Sequence, residues 1–176
     1  MERKSVAALI FSLLASACGG NSGGSDGKPQ EEEKKSTGKT VLEGVWEKPC
    51  GIVEQSEEEV IYDRVTLTFE GEYFYSDIEN YQDSNCQAPY PVAPNPKSEG
   101  TLFIGDDVIT TGGLSATEID TEVTRYNGAP FTIREYTIFR LEVNKLYFGK
   151  GDDVLDGESE ETRPKSLDYE RIFYKQ

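Results

Sequence analysis

The chain contains no histidine, and its 176 residues include one tryptophan, one methionine and three cysteines. Lack of histidine removes the commonest general base, the usual nucleophile triads and most zinc sites. Carboxylate and tyrosine chemistry survive that exclusion, but the expectation is a protein that is not an enzyme and that needs no cofactor. Long apolar runs are missing as well. The longest, residues 5–17, is well short of the roughly 20 residues that a membrane-spanning helix requires. Positive charge is scarce, with 18 Lys plus Arg against 33 Asp plus Glu. Residues 41–176 hold all of that imbalance, 28 acidic against 12 basic. Such a domain repels nucleic acid and anionic headgroups, so neither is an expected partner. Its acidity serves solubility or, less simply, a patch for a cationic ligand.

The N-terminus is more specific. Met1-Glu2-Arg3-Lys4 is a short basic region, and the apolar stretch behind it has the length of a signal-peptide core. It ends in Leu14-Ala15-Ser16-Ala17-Cys18-Gly19-Gly20. This run resembles the lipobox of bacterial lipoproteins, although its apolar residue stands one place further from the cysteine than is usual. The resemblance implies a leader over residues 1–17, removed before Cys18, and acyl chains on Cys18 as a membrane anchor. Gly19 and Gly20, where an aspartate would signal retention, imply sorting to the outer membrane. The plainer alternative is a secretory leader cut near Ala17, with Cys18 incidental. Residues 19–40 are Gly, Ser, Lys and Glu with almost no apolar side chain, so they cannot bury enough surface to fold. As a flexible tether they would hold a domain about 25 Å from its anchor.

From residue 41 the pattern becomes short β-type runs between turn signals. Val65-Thr66-Leu67-Thr68-Phe69 alternates with period two and runs into Glu70-Gly71, so residues 60–69 and 72–81 form a hairpin. Thr101-Leu102-Phe103-Ile104 is expected to turn at Gly105-Asp106-Asp107 and pair with residues 108–111. Residues 118–126 lead into Asn127-Gly128, a strong hairpin signal. Beyond it Phe131, Ile133, Phe139, Leu141 and Val143 share one face, and Asn144-Lys145 turns the chain into Leu146-Tyr147-Phe148. Helix is confined to at most one turn at residues 114–118. About eight antiparallel strands over residues 41–176 predict an all-β, up-and-down barrel, with an open β-sandwich as the alternative.

Acylation of Cys18 would leave Cys50 and Cys86, which in an exported domain are expected to form a disulfide. Closing that loop is worth roughly 4 kcal/mol on chain-entropy grounds. Gly44-Val45-Trp46 at the start of the domain resembles the first signature of lipocalins and related calycins, which are up-and-down barrels. The family's second signature, Thr-Asp-x-x-Tyr, is absent. The resemblance implies that Trp46 plugs one end of the barrel under an arginine near the last strand, here Arg171 or, second, Arg163. The domain also looks like a group of small exported lipoprotein domains with no assigned activity, on the strength of Trp46-x-x-x-Cys50, Tyr81-x-Asp83-x-x-Cys86, Leu146-Tyr147-Phe148-Gly149 and Arg163-Pro164-x-x-Leu167-Asp168.

Three candidate sites follow. Trp46, Phe69, Phe74, Phe103, Phe131, Phe139 and Phe148 either fill a core or line a cavity for a small hydrophobic ligand, since an eight-stranded barrel permits both. The acidic run from Gly151 to Glu161 offers Asp152, Asp153 and Asp156 to calcium, against the simpler reading of a solvated loop. EF-hand spacing fails there because Val154 stands where a ligand belongs. Pro89, Pro91, Pro94 and Pro96 stiffen a loop on which Tyr90 could anchor a partner, an envelope protein being the natural class.

Overall fold

A computed structural model describes residues 39–55, 60–91 and 95–176. Cys18, the leader and most of the proposed tether lie outside the described residues, as does Pro94. Eight antiparallel strands follow one another: β1 (Gly44–Gln55), β2 (Val60–Glu70), β3 (Tyr73–Tyr81), β4 (Lys97–Ile109), β5 (Ser115–Tyr126), β6 (Ala129–Glu142), β7 (Lys145–Phe148) and β8 (Phe173–Lys175). Each pairs with the next, and β8 pairs back on β1, so the sheet closes into an up-and-down barrel. The sandwich alternative is thereby set aside.

Period-two alternation decides what faces inward. Val65, Leu67 and Phe69 of β2 lie across from Ile78, Ser76 and Phe74 of β3, and this face runs on through Leu102, Ile119 and Phe139. Trp46, Leu146 and Phe173 complete a single interior core in which Leu42, Trp46 and Leu146 have almost no exposed surface. Gly100 sits within it at a bulge where β4 presses on β5. A Cβ there would overlap the Glu122 carbonyl and crowd Phe74, so only glycine fits.

Turn chemistry accounts for most of the connections. Gly71 (φ 61°) makes the β2–β3 turn, and Asn127 and Gly128, both with positive φ, make the β5–β6 turn. Two expectations are corrected. Gly105-Asp106-Asp107 is a bulge inside one long strand β4, and the reversal comes later, at residues 110–114. Asp107 is held there by the Thr117 hydroxyl at 2.7 Å, so its side chain serves the ladder instead of a turn. Residues 115–118, where a helical turn was the most that helix could claim, already belong to β5. Val143 is a further correction. It heads the β6–β7 turn at φ 55° and is fully exposed, because Glu142 pairs with Lys145 and leaves two residues to reverse the chain.

The long connection from β7 to β8, residues 149–172, folds down the outside of the barrel. It covers a second apolar cluster built from outward-facing Ala116, Ile138 and Tyr147 together with its own Leu167. Arg163 fastens it: the guanidinium bonds Asp120 at 2.7 Å and the Thr137 carbonyl at 2.9 Å, and lies over the Tyr136 ring.

Candidate functional site

The aromatic residues expected to line a cavity part company. Trp46, Phe69, Phe74 and Phe139 are buried in the interior core, and Phe131 and Phe148 pack against it. Phe103 points the other way. It is 68% exposed on the outer face of β4, because Leu102 and Ile104 take the inward positions on either side. Six of this set therefore belong to the interior, while one of them stands outside it.

The arginine expected over Trp46 is neither candidate. Arg163 lies outside the barrel, and Arg171 bonds Asp63 at 3.0 Å. Lys175, cross-strand partner of Trp46, places its ammonium 5.2 Å from the indole centroid, a cation–π contact at the mouth of the barrel. The indole N–H donates to the Leu42 carbonyl at 2.6 Å, so the ring's one polar group is satisfied.

Asp63 and Lys48 form a buried ion pair that was not anticipated. Both side chains are nearly inaccessible, and the Lys48 ammonium also donates to the carbonyls of Pro49 and Asp63, each at 3.3 Å. Burial pulls the Lys48 pKa below the usual lysine range, and the Asp63 carboxylate opposes that pull. The sequence did carry a signal. Lys48 is two residues from Trp46, and Asp63 is in phase with Val65, Leu67 and Phe69, so alternation points both inward.

A second inward carboxylate, Glu135, faces Thr121 across the β5–β6 pair. Burial raises its pKa, and the Thr121 hydrogen bond counters only part of that effect.

In the acidic loop two aspartates bond to backbone amides of their own segment. Asp152 accepts hydrogen bonds from the Val154 and Leu155 amides, both at 2.8 Å, and Asp156 accepts one from Glu158 at 3.0 Å. Those amides hold both carboxyls below the usual carboxylate range. Among the described residues no group of three or more His, Cys, Asp or Glu side chains is placed to hold a metal ion, and Asp152 and Asp156 turn their carboxylates to loop amides. Their run is a chain of Asx turns.

Cys50 and Cys86 are joined in a disulfide that ties β1 to the segment after β3. Asp83 organises that segment by accepting from the amides of Asn85, Gln87 and Ala88 at 2.9, 3.1 and 2.6 Å. The Ala88 bond is the main reason its pKa lies below the usual range. Pro89 bridges to Tyr81, and the Tyr90 amide donates to the Asn80 carbonyl, so the proline-rich stretch is laid against β3.

Two grooves lie on the outer face of the barrel. One groove, of about 540 Å³, crosses the outer faces of β2 to β5. Two cross-strand rows build it: Thr68, Tyr75, Glu99 and Arg125 in one, Thr66, Asp77 and Lys97 in the next. Its charges are paired, Lys97 to Asp77 at 2.6 Å and Arg125 to Glu99 at 3.3 Å. The Asp77 carboxylate raises the Lys97 pKa. A smaller groove of about 260 Å³ continues across β4 to β6, with Phe103, Tyr136 and the Arg134–Glu122 pair on its walls.

No family model matches the chain, and no curated protein is significantly similar to it.

Proposed function

We propose that this chain is an exported lipoprotein, anchored to the outer membrane through Cys18, whose barrel is a non-enzymatic interaction module with a filled core. The observation that carries this reading is the interior itself. Eleven buried apolar side chains, Trp46, Phe69 and Phe139 among them, form one contiguous cluster where a cavity would have to be. A small hydrophobic ligand would compete with those contacts for the same space. The outer face has the opposite character, with charged cross-strand pairs from β1 through β6. That is the reverse of a lipid-spanning barrel, whose outer band is apolar. Recognition then belongs to the outer face, and the carboxylates of the large groove, Asp77, Glu99 and Glu79, are engaged with Lys97, Arg125 and Arg64 instead of standing free as an acid–base pair.

Native mass spectrometry of the full chain extracted from membranes tests the core. The expected mass is that of the acylated polypeptide alone, and an apolar molecule retained on the barrel would sink the filled-core reading. Fractionation tests the anchor: Cys18→Ala should move the protein from the membrane pellet to the soluble fraction.

A further inference from the structure

The geometry points to the outer face of β2–β6 as a binding site for an uncharged oligosaccharide chain. This assignment rests on the reading of the barrel as a filled module that recognises partners on its outside.

Exposed aromatic rings are the first observation. Tyr75 is 42% exposed, Tyr73 48% and Phe103 68%, and all three stand on the outer faces of the neighbouring strands β3 and β4. Apolar residues exposed singly are ordinary, but three rings gathered on neighbouring strands make a patch of the kind that marks an interaction site. Their spacing is regular. Tyr73 and Tyr75 are two residues apart on one strand, roughly 7 Å, and Thr101, the direct partner of Tyr73, stands two residues before Phe103. The result is a diagonal track that begins in the large groove at Tyr75 and reaches the smaller one at Phe103.

Charge selects the occupant. Residues 41–176 are strongly acidic, which disfavours an anion. Yet cations are drawn into this face: Lys97 and Arg125 neutralise Asp77 and Glu99, and Arg134 neutralises Glu122. A cationic ligand would have to displace them. What remains is a floor of fixed, paired polar groups with the hydroxyls of Thr66 and Thr68 beside them, able to donate and accept at once. A chain of hydroxyls matches that floor. The C–H face of each sugar ring matches an aromatic face, whose negative quadrupole attracts polarised hydrogens. Volume agrees, since about 540 Å³ falls in the range of small-molecule sites and leaves the rest of a longer chain to the aromatic track.

Isothermal titration of the detergent-solubilised full chain with maltohexaose, laminarihexaose and chitohexaose tests the assignment. At least one should bind, with little dependence on salt. Tyr75→Ala and Phe103→Ala should each weaken that binding about tenfold, while Tyr75→Trp should retain it. Both positions face outward, so an unchanged thermal midpoint will show that the fold is intact. No heat from any of the three sugars at millimolar concentration overturns the assignment, as does binding that survives loss of both rings. The two readings fail separately: a lipid found inside the barrel removes the filled core, whereas sugar failure with an empty barrel removes only the saccharide.

Discussion

Asp63 and Glu135 are both carboxylates on the inner face of the barrel, and their company differs. On the β1–β2–β8 side Asp63 meets Lys48 and Arg171, and the Lys48 ammonium also donates to the carbonyls of Pro49 and Asp63. On the β5–β6 side Glu135 meets only the Thr121 hydroxyl, and burial drives it toward its neutral form. The same functional group is thus a fixed charge at one wall and a reluctant one at the other. Position in the sheet decides which, because only β1 and the approach to β8 bring cations within reach.

Asp63→Asn should break that contrast most severely. It leaves Lys48 and Arg171 side by side with only the more distant Asp168 to offset them, and stability should fall by about 3–5 kcal/mol in a urea titration. Replacing Lys48→Met and Asp63→Leu together should recover most of the loss, since the penalty belongs to the orphaned charge and not to the absent bridge. A loss no larger than for a surface change would mean that the two walls are alike.

Glu135→Gln should sharpen the contrast in the opposite direction, stabilising the fold at neutral pH by roughly 1–2 kcal/mol. The sign follows from the raised folded-state pKa. The unfolded chain ionises first as pH rises, so the benefit of the neutral carboxyl is complete below the ordinary carboxylate range. It is lost as pH climbs through the higher folded value. Stability of the native chain should therefore decline across that window, and the Gln variant should show a flatter profile. A steeper one would contradict the assignment.

The smallest effect belongs outside. Asp77→Asn removes the partner of Lys97 on an exposed face, and the denaturation midpoint should not move. If it falls as far as in Asp63→Asn, exposure is not what separates these pairs.

Much of this architecture was legible because it is local. Asn127-Gly128 and the alternation of residues 65–69 need no knowledge of the rest of the chain, and both appear as read. Gly105-Asp106-Asp107 has turn composition, but whether such a tripeptide reverses the chain or bulges depends on the strand beside it, here β5 through Thr117. Phe103 was grouped with the interior rings by residue type, whereas its phase with Leu102 would have put it outside. Lys175 over Trp46 was beyond local reading, since the β1–β8 register is set by closure of the whole sheet. The outer groove was equally hidden: its two rows draw on four strands, none of which is unusual by itself.

Closure also has a mechanical side. β8 shares two paired positions with β1 and two with β7, whereas β4 and β5 share ten. Tension applied at Lys39 enters through β1, which nine paired positions hold to β2 and only two hold to β8. The strand that completes the ring is therefore its release point under load, with Lys175 and the Trp46 ring lying across the gap that would open.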